Sequence, residues 1–250
     1  MTNLKKFEAL TRNFANKWGL DLQRYRPEAS QLGRLATMLA RQQIGLVVDV
    51  GANTGQFAQS LRKAGYTGSI LSIEPMSKAH AELVNVSRHD PKWTIAPPMA
   101  LGDADGEAEV HIAGNSVSSS LLPMLETHEK AAPTSTYVGR EKVMVRRLDR
   151  MVTDHTGDML RPLFVKIDTQ GYEDKVLDGA SSILKNVKSL QMELSLVELY
   201  AGQQLFGDLV ERMLREGFAI WAIWPGFCDP ASGRMLQVDV VFSRPESSKP

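Results

Sequence analysis

The sequence holds a single cysteine, Cys228, in 250 residues. An internal disulfide is therefore excluded, and such sparse use fits a reducing compartment. It lacks any apolar run near the roughly 20 residues that a transmembrane helix needs. No apolar signal core follows the opening Met-Thr-Asn-Leu-Lys-Lys. Together these lacks lead us to expect a cytoplasmic protein with no membrane span. Charge of one sign is missing too: Lys plus Arg and Asp plus Glu are both 29, for a formal net charge of zero. That balance argues against nucleic acid, or an anionic membrane, as the main partner. The five histidines form no ligand pair by spacing, so with one cysteine a zinc centre is disfavoured. Neither an internal repeat nor a linker interrupts the chain. What is present is an ordinary globular balance, 43% hydrophobic and 23% charged, in a length suited to one large α/β domain.

The chain is organised around residues 46–57. Leu46 to Val50 is a short apolar strand broken only by Asp49. It turns on Gly51 and Gly55 and enters a helical pattern at Gln56 and Phe57. Strand, glycine turn, helix is how an open α/β sheet offers backbone N–H groups and a carboxylate to a nucleotide-like ligand.

The rest of the chain repeats the β-α alternation. Leu4, Phe7, Leu10, Phe14 and Trp18 recur at helical spacing, read first as a core-covering stripe and second as a contact between two copies in a homodimer. Arg24 to Pro27 reads as a loop. A second helix fits Ser30 to Gln43, with Ser30 as its cap. Strands follow at Ser69 to Glu74, Trp93 to Ile95, Pro162 to Asp168 and Ser189 to Leu194. Helices fall at Ser77 to Val86, Glu173 to Leu184, and around Leu205 to Met213. Glu107 to Ile112 alternates and suits an extra strand beside Lys142 to Leu148. Phe218 to Trp224 and Met235 to Phe242 are joined too tightly for a crossover helix, so they pair antiparallel. The expected fold class is α/β: a Rossmann-like, mostly parallel doubly wound sheet with one antiparallel strand. The expected divisions are an N-terminal helical cap over 1–44, one domain over 45–243 with an insert at 113–140, and a frayed tail over 244–250. That insert, with Asn115, four serines and His128, is too long for a connector and suits a lid or substrate loop.

Open parallel sheets bind ligands beyond the C-terminal strand ends. Five consecutive strands deliver an acid at or near that edge: Asp49, Glu74, Asp103, Asp168 and Glu193. Glu74, closing the second strand, suits a ribose diol. Asn53 stands where a dinucleotide fingerprint needs its second glycine, so close approach of a pyrophosphate is disfavoured. A phosphate-free nucleoside with a cationic end, welcome at Asp49, fits better. S-adenosylmethionine is such a ligand.

Four stretches carry a resemblance: Val-Asp-Val-Gly-Ala-Asn-Thr-Gly-Gln-Phe (48–57), Ile-Glu-Pro (73–75), Ala-Leu-Gly-Asp (100–103) and Lys-Ile-Asp-Thr-Gln-Gly-Tyr-Glu (166–173). In this order they resemble the FkbM family of S-adenosylmethionine-dependent methyltransferases, over roughly residues 45–242. Residues 112–125, with Ala-Ala-Pro (131–133) and Tyr-Val-Gly (137–139), are also similar to a mycobacterial branch that methylates sugar hydroxyls of glycolipids and oligosaccharides. The resemblance implies a sugar or oligosaccharide acceptor. It also implies a donor site of Asp49, Gly51, Asn53, Gly55, Gln56, Glu74, Leu101, Gly102 and Asp103, with Asp49 and Gly51 at the methionine end and residues 100–103 at the adenine edge.

A neutral sugar hydroxyl is a poor nucleophile. A divalent metal acidifies a bound hydroxyl, as zinc takes water from about 15.7 to about 7 at best, and a positioned base gives roughly 10²- to 10⁴-fold. Asp168 and Glu193, at neighbouring strand ends, are the expected Mg²⁺ ligands. His128, in the insert, is the expected base beside Asp168. His111 ranks second, in a strand where a structural role is the default. Lys166 shares the face of Asp168 and reads first as a structural partner. The competing readings are a non-catalytic S-adenosylmethionine-binding module, a methyltransferase acting on a non-sugar small molecule, and a nicotinamide oxidoreductase, against which Asn53 counts.

Overall fold

The computed structural model describes residues 3–20, 30–156 and 162–245. The expected loop at Arg24 to Pro27 and most of the expected tail lie outside the described residues. Two helices, α1 (Asn3–Lys17) and α2 (Gln31–Arg41), precede the first strand, β1 (Leu46–Val50). Then come α3 (Gln56–Lys63), β2 (Ser69–Ile73), α4 (Ser77–Ser87), β3 (Trp93–Ile95), β4 (Ala100–Gly102) and β5 (Gly106–Ala113). After a covering loop follow α5 (Glu126–Ala131), β6 (Tyr137–Arg147), α6 (Leu148–Thr156), β7 (Leu163–Ile167), α7 (Glu173–Asp178) and β8 (Val187–Ser195). Helix α8 (Phe206–Arg215) and strands β9 (Ala219–Pro225) and β10 (Gln237–Ser243) complete the described chain.

Seven strands form one sheet in the order β3-β2-β1-β7-β8-β10-β9. Pairs from β3 to β8 are parallel, and β10 runs antiparallel to both β8 and β9. The α/β class and mostly parallel sheet expected from the β-α alternation are therefore present. A second sheet, β4-β6-β5, was not foreseen. It arises because β4 pairs parallel with β6, while β5 and β6 form the expected antiparallel pair.

Strand parity sorts the two faces of the main sheet. Leu46, Val48 and Val50 join Leu163, Val165, Leu190 and Met192 against α6, α7 and α8. Val47 and Phe164 face the other way, against Leu35 and Leu39 of α2 and Ala58 and Leu61 of α3. Asp49 and Lys166 share the parity of that second face, and they stand opposite each other in the β1–β7 register. Polar side chains thus break one apolar face near the ends of two central strands.

Helix α2 is built as expected: the Ser30 hydroxyl accepts the Gly33 N–H at 3.0 Å. The N-terminal cap needs correction. Phe7, Leu10, Phe14 and Trp18 of α1 and its end are 66–74% exposed. Among the described residues this stripe is therefore not the core-covering face expected, whereas Leu35 and Leu39 of α2 do pack on the sheet. Trp221 is 41% exposed on β9 at the sheet edge, while Trp224 is buried. Helix α7 is also shorter than expected. Beyond Asp178 the chain passes hard against β4, where a Cβ on Gly179 would lie 2.0 Å from the Gly102 carbonyl oxygen. The Gly179 carbonyl instead accepts the Asp149 N–H at 2.9 Å and ties the start of α6.

Gly179→Ala must part these backbones and is expected to cost about 1–3 kcal/mol of stability, the usual range for overpacking. Gly106, whose added Cβ would meet nothing within 4 Å, is the control: Gly106→Ala should shift stability by less than about 0.5 kcal/mol. Urea denaturation of both variants checks this.

Candidate active site

At the C-terminal ends of β1, β2 and β7 lies a cavity of about 370 Å³. Its floor is the turn after β1. Gly51 is in the left-handed region (φ 75°), and a Cβ there would lie 1.9 Å from the Asp168 carbonyl oxygen. Only glycine lets β1 and β7 close at this point.

All five amides of the turn already have acceptors. Gly51 and Ala52 donate to the Ile73 carbonyl, Asn53 to Glu74 Oε2, Thr54 to Asn53 Oδ1, and Gly55 to the Ala52 carbonyl. The turn leaves no free N–H for a phosphate, which is what a pyrophosphate site requires. The departure at Asn53 is consistent with this, since its φ of 47° is one that asparagine tolerates better than most residues.

Glu74 is almost wholly buried and takes one amide on each oxygen, Asn53 on Oε2 at 2.8 Å and Met76 on Oε1 at 2.9 Å. Burial pushes its carboxyl up to about 7, against the two amides, which pull it down. It lines the cavity with its remaining lone pairs available to hydroxyl donors. The opposite wall is apolar, with Met76, Met99, Ala100, Leu101 and Val110. A diol acceptor next to an apolar slot, beside a turn with no free amides, fits a nucleoside without phosphates.

The charged end of the cavity holds Lys166 and Asp168. Lys166 Nζ lies 3.1 Å from Asp168 Oδ2, 3.7 Å from Asp49 Oδ1 and 5.3 Å from the Phe57 ring centroid. Burial pulls this ammonium down, but Asp168 and Asp49 overcome it and raise it overall. Asp49 is fully buried and burial raises its carboxyl, partly offset by Lys166. Its other contact is the Ser72 hydroxyl at 3.3 Å.

Residues 116–121 of the insert close the cavity from above. Asn53 Nδ2 reaches Ser116 Oγ at 3.3 Å, and Ser120 Oγ donates to the Gln170 carbonyl at 2.7 Å. Gln170, Asn53 and Ser116 are three of the four non-glycine residues with positive φ among those described. Such conformations persist where surrounding contacts over-determine them. The loop carrying Gln170 is tied by Glu173, which accepts from the amides of Thr169 and Gly171 at 2.9 and 3.0 Å. Burial pushes Glu173 up to about 7 as well.

Of the sequence-predicted donor residues, Gly51, Asn53, Gln56, Glu74 and Leu101 line the cavity. Asp49 does not: it is fully buried, and its neighbour at 3.7 Å, the Lys166 ammonium, lines the cavity in its place. Gly55 lies behind, packed on Trp93 and Leu83. Gly102 backs the wall against Tyr172, and Asp103 pairs with Lys175 at 3.4 Å.

His128 does not face the cavity. It is 2% exposed, with its ring centroid 5.2 Å from those of both Tyr200 and Phe227, and its Nδ1 has no partner. Burial drives it down to about 4. Helix α5 carries it into a small apolar cluster instead, a placement that insert length alone did not reveal. His111 stacks on Tyr137 at 4.9 Å, and His80 meets the Ala96 carbonyl at 2.7 Å.

Asp168 and Glu193 do converge, but not as a cation pair. The Gln170 amide nitrogen lies 2.9 Å from Asp168 Oδ1 and 2.5 Å from Glu193 Oε2. Gln237 Nε2 is 2.9 Å from that same Glu193 oxygen. Their facing oxygens are thus engaged by N–H donors, a donor set that does not fit Mg²⁺. Among the described residues no group of three or more His, Cys, Asp and Glu is arranged to hold a metal. Lys166 and Gln170 are the residues whose weight the sequence reading missed. For Lys166 the shared face with Asp168 was the available signal; for Gln170 it was only its place in the 166–173 stretch that carries the resemblance.

Comparison with known proteins adds kinship. The family described as "Methyltransferase FkbM domain" matches residues 49–220. No curated protein matches the chain. Among solved structures, a candidate tRNA (m1A22) methyltransferase from Streptococcus pneumoniae, solved with S-adenosyl-L-methionine, is 14% identical over 88% of this chain and 74% of its own, with a TM-score of 0.48. A candidate O-methyltransferase from Klebsiella pneumoniae is 10% identical over 94% of this chain and 88% of its own, TM-score 0.48. An rRNA methylase from Streptococcus thermophilus is 11% identical over 90% of this chain and all of its own, TM-score 0.46. No helix among the described residues is long and apolar enough to cross a membrane.

The raised Glu74 carboxyl sets a pH dependence. Between about 4.5 and about 7 the folded state keeps the proton that the unfolded state has lost, so this group's contribution to stability falls as pH rises. Glu74→Gln removes that loss. Its melting temperature relative to the native chain should climb across this window and level off above it, as thermal melts at stepped pH would show.

Proposed function

The chain belongs to the FkbM methyltransferase family, and on that premise we propose that it transfers the methyl of S-adenosylmethionine to a sugar hydroxyl of an oligosaccharide or glycolipid. The observation that carries the donor half is the cavity itself: a buried carboxylate for a diol, an apolar slot, and a turn with no amide left for phosphate. When bound, S-adenosylmethionine supplies an electrophilic methyl on a sulfonium. Glu74 would take the ribose hydroxyls and the Met99 to Leu101 wall the adenine. Gly51, Asn53 and Lys166 would hold the amino-acid end.

Asp168 is the carboxylate left for the acceptor. It lines the cavity, its side chain is about one-third exposed, and Lys166 fixes one of its oxygens. We assign it the hydrogen bond to the incoming hydroxyl, whose proton it draws off as the oxygen becomes nucleophilic. The loop at 116–121, seated over the donor cavity, keeps water from the transfer. The sugar acceptor rests on the resemblance of residues 112–125, 131–133 and 137–139 to the sugar branch. Two serines of that stretch, Ser116 and Ser120, contact the donor turn and Gln170 directly. No metal enters this reading, because of the donors already on Asp168 and Glu193. The cytoplasmic placement remains part of the proposal.

Calorimetry with S-adenosylhomocysteine and mass-spectrometric screening of mannoside and deoxysugar acceptors for one added methyl test it. Glu74→Gln should weaken S-adenosylhomocysteine roughly 10- to 100-fold, the loss of a charge-assisted contact. Asp168→Asn should leave that affinity within about threefold and lower turnover by about 10²-fold or more. His128→Phe, which keeps an aromatic ring in its packed place, should retain turnover within about threefold; a base would lose 10²- to 10⁴-fold. If S-adenosylhomocysteine binds but no hydroxyl acceptor gains a methyl, the chain is a binding module.

A further inference from the structure

Asp168 and Glu193 come from the ends of adjacent parallel strands and share one nitrogen between them. Two acids this close disfavour each other's charge, and burial together with Asp168 holds the Glu193 carboxyl well above the usual carboxylate range; an electropositive group between them eases that cost. In oxygen-ligand sites a hard cation takes that place. Here it is filled by a side chain. One N–H of the Gln170 amide serves each carboxylate.

The residue is held through both its side chain and its backbone. Its Oε1 accepts the Tyr200 hydroxyl at 2.7 Å, and its backbone carbonyl accepts the Ser120 hydroxyl at 2.7 Å. The Tyr200 hydroxyl also lies 3.1 Å from the Ser118 carbonyl. Gln170 itself sits at φ 55°, a conformation that costs a non-glycine residue and is retained by those bonds. Gly171 follows at φ 97°, where a Cβ would meet the Tyr200 Cβ at 3.1 Å and its ring at 3.2 Å. The outer contacts of the pair are equally specific: Lys166 holds the second Asp168 oxygen, and Gln237 reinforces Glu193.

We propose that Gln170 is a positioning residue that stands in for a divalent cation. Its carboxamide fixes the Asp168–Glu193 pair and, through the Tyr200 hydroxyl beside the Ser118 carbonyl, ties the pair to the loop over the cavity, while its backbone carbonyl adds the link to Ser120. The acceptor carboxylate is thus placed by the chain alone. The corollary is sharp. Replacing the amide NH₂ with a third carboxylate oxygen, Gln170→Glu, turns the same cluster into a cation site. The structural claim stands apart from the methyltransferase reading and rests on it only for the effect on turnover.

The test uses the full chain and Mn²⁺ as the probe, followed by electron paramagnetic resonance. The native chain should leave millimolar Mn²⁺ free. Gln170→Glu should bind one Mn²⁺ at least tenfold more tightly, and the added change Asp168→Asn should abolish that binding. Calorimetry with S-adenosylhomocysteine checks that each variant is folded. In turnover, the native chain should be unaffected by EDTA, whereas Gln170→Glu should depend on added Mn²⁺. One-to-one Mn²⁺ binding by the native chain that Asp168→Asn or Glu193→Gln removes would overturn the proposal, and this arm needs no Gln170 variant to fold. So would a folded Gln170→Glu that binds Mn²⁺ no better than native. Failure of every acceptor to be methylated would sink the proposed function and leave the resonance measurement to decide this inference.

Discussion

The Lys166 ammonium is the contact on which the site depends. It sits buried between Asp49 and Asp168 on a sheet face otherwise given to Val47 and Phe164. A charge in that position is tolerated only when paired. One ammonium shared by two carboxylates fixes the C-terminal ends of β1 and β7 relative to each other. The Gly51–Asp168 contact, the Gln170 loop and the opening of the cavity all follow from that alignment.

Around this clamp the polar groups form a layered order. Closest to the sheet are Asp49 and Lys166. Next come Asp168 and Glu193 with Gln170 between them. Outermost are Tyr200 and the serines of the covering loop. Each layer is satisfied mainly by the one beneath it, so a change in one is felt in the next. Such connected networks specify geometry more strongly than their pairwise strengths suggest. Of the acids expected along this edge, Asp103 is bound to Lys175 outside the cavity. Glu74 lines the cavity apart from that charged cluster, engaged by the Asn53 and Met76 amides.

Much of this was legible in the sequence. Period-two alternation and apolar runs located the strands, and the parity of Lys166 and Asp168 placed both on one face. The glycine turn and Glu74 were readable because their chemistry is local: a strand end, a turn and an acid. The rest depends on tertiary contacts. Gln170 carries no pattern of its own; its left-handed backbone and its two carboxylate partners exist only once β7, β8 and the insert are assembled. His128 misled for the same reason: nothing local shows that α5 turns it onto Tyr200 and Phe227. The α1 stripe has helical spacing whether or not anything covers it, and α7 was read too long because the crowding at Gly179 comes from β4.

The five satisfied amides of the turn at 51–55 have one more consequence. A turn whose N–H groups await a ligand gains much of its order when that ligand arrives, and part of the binding free energy is spent on the ordering. This turn holds its shape through Ile73, Glu74, Asn53 and Ala52. The donor half of the site is therefore preorganised, and little of the ligand's affinity goes to building it. The covering loop is joined to this preformed turn and to Gln170 by the Ser116 and Ser120 contacts, so it too is placed before any ligand arrives.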